Sequence, residues 1–157
     1  MTDMNHPHAE HPPKGHPGGH GQGKPAPNTI RLVAWETTRR CNLKCKHCRA
    51  VAEDHPYDNE LDTKASFRLL DQIAEVGKPI IILTGGEPLL RQDIFDIADH
   101  GTRLGLRMVM APNGTLITEE TAGKMAESGI KRISISLDGS TREIHDRFRG
   151  GDGAFDG

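Results

Sequence analysis

Cysteine is scarce in this sequence, long apolar runs are missing, and neither sign of charge dominates. The three cysteines, Cys41, Cys45 and Cys48, all fall within one eight-residue window. An odd, tightly bunched set makes a poor disulfide framework and suits metal ligation in a reducing compartment. A cytoplasmic protein is therefore expected. No apolar run approaches the roughly 18 residues of a membrane span, and the N-terminus has no apolar core of a secretory signal. Net charge is −2, with Lys and Arg scattered along the chain. That argues against a nucleic-acid or anionic-membrane surface as partner. Apolar residues make up 34% of the 157, a figure diluted by the first 29 residues, so the remainder can still bury one core.

Residues 1–29 are of low complexity, rich in His, Pro and Gly, and hold His6, His8, His11, His16 and His20. Such a tract cannot bury enough apolar surface to offset the entropy of ordering, and a disordered tail is expected. Its histidines have affinity for Ni²⁺, Zn²⁺ or Cu²⁺, although a solvated tail with incidental metal affinity is the simpler reading. The reading divides the chain into this tail and one core over 30–157.

From Ile30 onward, apolar strands alternate with amphipathic helices. Strands are expected at Arg31–Thr37, Ile80–Leu83, Arg107–Ala111 and Arg132–Leu137. Residues 62–76 have helical spacing, with Ala65, Leu69, Leu70, Ile73 and Ala74 on one face. Asp62 or Thr63 suits its start and Gly77 its end. Asp93–Leu104 forms a second helix, with Ile94, Ile97 and Ala98 inward. A third is capped by Thr118 and ended by Gly129, and another begins near Thr141. The pattern predicts an α/β fold with a parallel sheet and right-handed crossovers. In such folds ligands bind at the C-terminal ends of the strands, where the polar and glycine-rich segments of this sequence fall.

Three segments there carry chemistry. Cys41-x₃-Cys45-x₂-Cys48 directly follows the first strand. Three thiolates on one loop can take three corners of a cubane iron–sulfur cluster and leave the fourth iron open. The neighbouring Arg39, Arg40, Lys44 and Lys46 are expected to help keep the thiolates ionised. The alternative is a zinc site with His47 or His55 as fourth ligand. Thr84-Gly85-Gly86-Glu87-Pro88 follows the second strand. Its glycines let backbone approach a ligand, and Glu87 offers a carboxylate to an ammonium group. An ordinary strand-to-helix turn is the plainer reading. Ser136-Leu137-Asp138-Gly139 ends the fourth strand, and His145-Asp146-Arg147-Phe148-Arg149-Gly150 follows. A guanidinium here can grip a carboxylate through two hydrogen bonds. A helix cap followed by a solvated charged helix is the alternative. Asn113-Gly114 reads as a turn, and His145 as a structural histidine.

Together, in this order and on these strands, the three segments resemble the radical S-adenosylmethionine (SAM) superfamily over roughly residues 31–157. The resemblance implies a partial TIM-type (βα) barrel. It implies a [4Fe–4S] cluster on Cys41, Cys45 and Cys48 whose open iron binds the amino and carboxylate groups of SAM. Gly85, Gly86 and Glu87 would hold the SAM ammonium. Ser136 and Arg149 would meet its carboxylate or ribose, with Arg147 and Asp138 as further candidates, and His47 would stack near adenine. One electron, supplied by a flavodoxin or ferredoxin, would cleave SAM to methionine and a 5′-deoxyadenosyl radical. A narrower resemblance is carried by RLVAWETTRRCNLKCKHCRA. It points to members that modify tetrapyrrole side chains in the alternative haem pathway and in haem d1 biosynthesis, and so to a porphyrin substrate. Peptide-modifying maturases share much of the core, and a non-enzymatic metal-binding module is the rival from another class. Family barrels have about six βα units and four are counted here. The chain by itself is therefore expected to be a truncated barrel, prone to associate through its strand edge and unable to turn over a porphyrin.

Overall fold

The computed structural model describes residues 29–156. The expected disordered tail lies outside them, apart from Thr29. Three strands form one parallel sheet in the order β1 (Leu32–Thr38), β2 (Ile80–Gly85), β3 (Arg107–Met110). Leu32 pairs with Ile80 and Leu83 with Met110. Side chains alternate across a strand, so Ile81, Leu83, Met108 and Met110 fall on one face and are fully buried. That face is covered by α1 (Thr63–Val76) and α2 (Ile94–Arg103). Leu70, Ile94, Ile97 and Ala98 join it in one core, with Val33, Trp35, Phe67 and Ile73 at its margin. The apolar run Ile80–Leu83 of β2 thus has one face sealed by helices. On the other face Ile80 and Ile82 are half-buried.

The helix boundaries follow local chemistry. Asp62 Oδ1 accepts the N–H of Ala65 at 2.7 Å and starts α1, satisfying one of the orphan donors of the first turn. Thr118 opens α3 (Glu119–Glu127) in a reciprocal capping box with Thr121, which satisfies two backbone donors at once. Thr141 caps α4 (Arg142–Arg149), which ends on Gly150 in the left-handed region at φ 67°, a conformation that suits glycine.

The fourth expected strand is reduced to one parallel bridge, Met110 with Ile133. Met110 donates to Arg132 O, and Ser134 donates back to Met110 O, both at 3.0 Å. Ala111 gives its N–H to Leu83 O on the β2 side, as alternation along a strand requires, and Pro112, the next residue due to face this segment, has no N–H to give. Ile135 and Leu137, expected inside a strand, are 50% and 70% exposed.

Arg91, which the sequence did not single out, ties the start of both helices to the sheet. It donates to Thr37 O (2.6 Å), Leu61 O (2.8 Å), Ser66 Oγ (3.0 Å) and Asp93 Oδ1 (2.7 Å). Asp93 Oδ2 also accepts from Thr63 Oγ1 at 2.6 Å. Burial raises the Asp93 carboxyl, but hydrogen bonds from Arg91 and Thr63 and the charge of Arg91 outweigh it. Its pKa is held below the ordinary 3.8. A depressed folded-state pKa gives stability that is present above the unfolded value and is lost as pH falls through the folded one. Asp93→Asn should therefore lower the urea midpoint near neutrality and flatten its decline as pH falls below the ordinary carboxylate value. Parallel declines in the two proteins would contradict this account of Asp93.

Candidate functional site

The segments that leave the C-terminal ends of the strands meet at one rim, as the parallel topology requires. After β1 the chain enters the cysteine loop; after β2 it enters Gly85-Gly86-Glu87. Gly86 N–H donates to Thr38 O and Glu87 N–H to Arg40 O, both at 2.8 Å. A Cβ at Gly86 would lie 2.6 Å from Arg39 O and 2.7 Å from the carbonyl carbon of Arg40. One at Gly85, where φ is 136°, would collide with the Thr38 carbonyl. The close approach these glycines permit is thus first of all to the chain's own backbone where it enters the cysteine loop.

Glu87 is fully buried. Its Oε1 accepts the N–H of Leu89 at 3.0 Å, and its Oε2 that of Asn113 at 2.6 Å. Burial raises its pKa, opposed by those two N–H groups and by the charge of Arg149. Each oxygen retains a lone pair for a further donor. Asn113 is the residue that the sequence reading missed. It forms more than a turn: besides binding Glu87, its Nδ2 donates to Asn42 Oδ1 at 2.8 Å, and its Oδ1 accepts from Thr115 N and Oγ1. It therefore joins the segment after β3 to the cysteine loop and to Glu87. The Asn-Gly pair after a strand was the available signal, and its turn reading was sufficient without this network.

Cys41 is buried, while Cys45 and Cys48 are half-buried, and all three pack in one small cluster with Leu43, Ala52 and Ala154. The loop is fixed by Cys41 N–H to Glu53 O (3.1 Å), Cys48 N–H to Cys45 O (3.0 Å) and Lys46 N–H to Phe148 O (2.9 Å). Leu43 N–H is directed at Cys41 Sγ, 3.5 Å away. The expectation that neighbouring cations keep the thiolates ionised fails at Cys41. Burial raises its pKa, only partly offset by Leu43 N–H, and the negative charge of Glu87 adds to the rise. Arg39 and Arg40 are turned elsewhere: Arg39 lies over the Tyr57 ring at 4.5 Å, and Arg40 pairs with Asp54 at 2.6 Å.

The zinc alternative needs a histidine beside the thiols. His47 instead stacks on Phe148 (ring centroids 4.7 Å apart, 14° between planes). His55 Nδ1 faces Pro56 O at 2.7 Å, and its Nε2 lies 3.4 Å from Glu53. Among the described residues no three His, Cys, Asp or Glu side chains converge where a single metal ion could sit. A cluster takes each thiolate on a different iron and needs no such convergence. Three thiols on one loop, with no fourth protein ligand beside them among the described residues, therefore fit a [4Fe–4S] cluster with an open corner.

The last segment closes over the loop from outside. Gly150 passes so near Lys44 O that a Cβ would strike it. Asp146 accepts the N–H groups of Gly153 and Phe155, each at 2.9 Å, and Arg142 pairs with Asp156. His145 is structural, with Nδ1 accepting the N–H of Asp138 at 3.1 Å. Arg149, 6% exposed, donates to Ser136 O at 3.0 Å and reaches Cys45 Sγ at 3.6 Å. Its Nε lies 2.8 Å from Asp138 Oδ2, a close ion pair without an aligned hydrogen bond. The structure thus brings Cys41, Glu87, Gly85, Gly86 and Arg149 to one rim. Ser136 contributes its carbonyl there, and its side chain is exposed. Arg147 is exposed. No helix among the described residues is long and apolar enough to cross a membrane.

Comparison with known proteins agrees with this geometry. The AdoMet-dependent heme synthase of Oleidesulfovibrio alaskensis is 47% identical over 169 residues, covering 99% of this chain and 42% of that protein. The enzyme of the same name from Methanosarcina barkeri is 50% identical over 129 residues, covering 82% and 37%. The chain thus spans about two fifths of the length of these relatives. The crystal structure of Streptococcus suis SuiB bound to S-adenosylmethionine has the same fold (TM-score 0.64, 22% identity, 76% of this chain and 27% of that one). The model of the radical SAM superfamily matches residues 35–156, and the chain belongs to that superfamily.

Proposed function

We propose that this chain is the cluster- and SAM-binding part of an enzyme that modifies porphyrin side chains by radical chemistry, with decarboxylation of iron-coproporphyrin propionates as the favoured reaction. The observation that carries the reading is the meeting of Cys41, Glu87 and Asn113 at the C-terminal rim of the sheet. The thiolates of Cys41, Cys45 and Cys48 would hold the [4Fe–4S] cluster. When bound, that group supplies one-electron reductive cleavage of SAM. Glu87, fixed by two backbone N–H groups, would receive the SAM ammonium on its remaining lone pairs. Gly85 and Gly86 would set the position of that carboxylate by locking the strand end against Thr38–Arg40. Ser136 and Arg149 remain the candidates for the carboxylate or ribose, and His47, held flat by Phe148, for adenine. The porphyrin assignment is supported by relatives at 47% and 50% identity whose names specify heme synthesis.

The electron would come from a small acidic carrier of the flavodoxin or ferredoxin class. Lys44, Lys46 and Arg49 are exposed around Cys45 and Cys48 and suit such a partner. A reducing cytoplasm is the proposed location, in keeping with three free cysteines.

The test is anaerobic incubation of a protein of the relatives' full length carrying this segment, with SAM, dithionite and iron-coproporphyrin. The expected result is 5′-deoxyadenosine formation that rises with porphyrin, together with loss of carboxyl groups from the tetrapyrrole. Formation of 5′-deoxyadenosine that is indifferent to porphyrin would reject the substrate. None at all from a fully loaded protein would reject the radical reading.

A further inference from the structure

We infer that Arg149 tunes the reduction potential of the cluster through Cys45, in addition to any contact with SAM. The inference rests on the proposed cluster ligands. It starts from a geometric fact: a buried guanidinium from the end of α4 reaches a ligand sulfur 104 residues away in sequence. Two nitrogens of Arg149 have hydrogen-bond partners within the protein, and the third, Nε, has only the nearby Asp138 carboxylate without an aligned hydrogen bond. Nη1 faces Cys45 Sγ at 3.6 Å, Nη2 donates to Ser136 O at 3.0 Å, and Nε lies 2.8 Å from Asp138 Oδ2.

The group is held in place from both sides. Phe148, the residue before it, accepts the N–H of Lys46, beside Cys45, at 2.9 Å. Gly150, the residue after it, packs on Lys44 O. The helix end and the cysteine loop therefore move together, and the N–H···S contact is part of their joint. Sulfur is larger than oxygen, which lengthens such contacts.

The electron transfer concerned is the addition of one electron to the cluster from an external low-potential reductant, with no bond broken and no proton moved. That electron makes the thiolate sulfurs more negative. A donor N–H and a full positive charge on Cys45 Sγ stabilise the reduced form more than the oxidised one, and so raise the potential. The side chain is only 8% exposed, so solvent screens the effect weakly. Two carboxylates oppose it: Asp138 pairs with Arg149, and Glu87 feels its charge. Arg149 is thus a positioning and tuning residue. The Asp138 pair sets how much of its charge reaches the sulfur.

The experiment is EPR-monitored potentiometric titration of the reconstituted protein without SAM or substrate, so that the readout is independent of turnover. Arg149→Met should shift the midpoint to more negative potential at full iron and sulfide content. Arg149→Lys keeps the charge and loses the fork, and should shift it less. Asp138→Asn removes the opposing carboxylate and should shift it the other way, a change that a merely structural role would not produce. An unmoved midpoint in a loaded Arg149→Met, or a negative shift in Asp138→Asn, overturns the inference. Loss of the cluster in all three variants would also overturn it, since Arg149 would then only hold the loop together. A wild-type protein that takes up no cluster would instead defeat the functional reading itself.

Discussion

Replacement of any one of Cys41, Cys45 and Cys48 by alanine is expected to abolish stable cluster binding and leave the fold of the sheet intact. The sulfurs belong to a small satellite cluster with Leu43, Ala52 and Ala154, separate from the main core around Ile81, Leu83 and Met108. Removing one sulfur takes away a proposed ligand without opening a cavity beneath the helices. Two remaining thiolates hold a cubane poorly, because each contributes a bond to a different iron. Cys41→Ala is the most informative of the three. Burial and the charge of Glu87 both disfavour its thiolate in the metal-free protein. A bound cation would reverse that preference, so loading at Cys41 releases a proton and uptake should fall as pH is lowered. Iron and sulfide assays after anaerobic reconstitution measure the effect. Full content in a single variant, with four irons per chain as in the unaltered protein, would refute the assignment of that cysteine.

The second large effect is expected at Gly86. Gly86→Ala should destabilise the protein by about 2–4 kcal/mol. The added Cβ meets the backbone of the segment entering the cysteine loop, the Arg39 oxygen at 2.6 Å and the Arg40 carbonyl carbon at 2.7 Å, and backbone cannot rotate away as a side chain can. Relief requires the chain entering the cysteine loop to move off β2. That sacrifices the bonds from Gly86 N–H to Thr38 O and from Glu87 N–H to Arg40 O, and it displaces Glu87 from Asn113. Gly123→Ala in α3 is the matched control. Nothing lies within 4 Å of its added Cβ, and alanine favours a helix interior by up to about 1 kcal/mol. Urea midpoints of the two variants should therefore move in opposite directions. Equal, small shifts would mean that the strand end and the cysteine loop are not locked as described.

Local signals were the legible part of the fold. Asp62, Thr118 and Thr141 cap their helices through the backbone N–H groups of the first turn, an interaction that needs only neighbours in sequence. Ile94, Ile97 and Ala98 follow a helical period, and their inward face was readable for the same reason. What could not be read depends on distant partners. The segment 132–137 is apolar enough for a strand, but its pairing stops after one bridge at Pro112, which has no N–H to offer it. Arg91 has no local mark of its role, because its acceptors come from residues 37, 61, 66 and 93.

At the site the same division holds. The cysteine spacing and the Gly-Gly-Glu segment announced themselves as motifs. Asn113 was hidden behind a sufficient turn reading, since its contacts to Glu87 and Asn42 are made 26 and 71 residues away. Of the cations beside the cysteines, Arg39 and Arg40 are turned elsewhere, because sequence proximity does not give direction. Arg40 is one residue from Cys41 and pairs with Asp54 instead, whereas Arg149, 104 residues from Cys45, is the guanidinium that reaches a sulfur.

The central claim is that Cys41, Cys45 and Cys48 hold a [4Fe–4S] cluster whose open iron faces a SAM site at Glu87. EPR spectroscopy of the anaerobically reconstituted, dithionite-reduced protein, recorded with and without SAM, tests it most directly. The account predicts a reduced-cluster signal that changes shape and position when SAM is added, and that stops responding to SAM in Glu87→Ala at unchanged cluster content. A reduced-cluster signal unaltered by saturating SAM in the wild-type protein would contradict it.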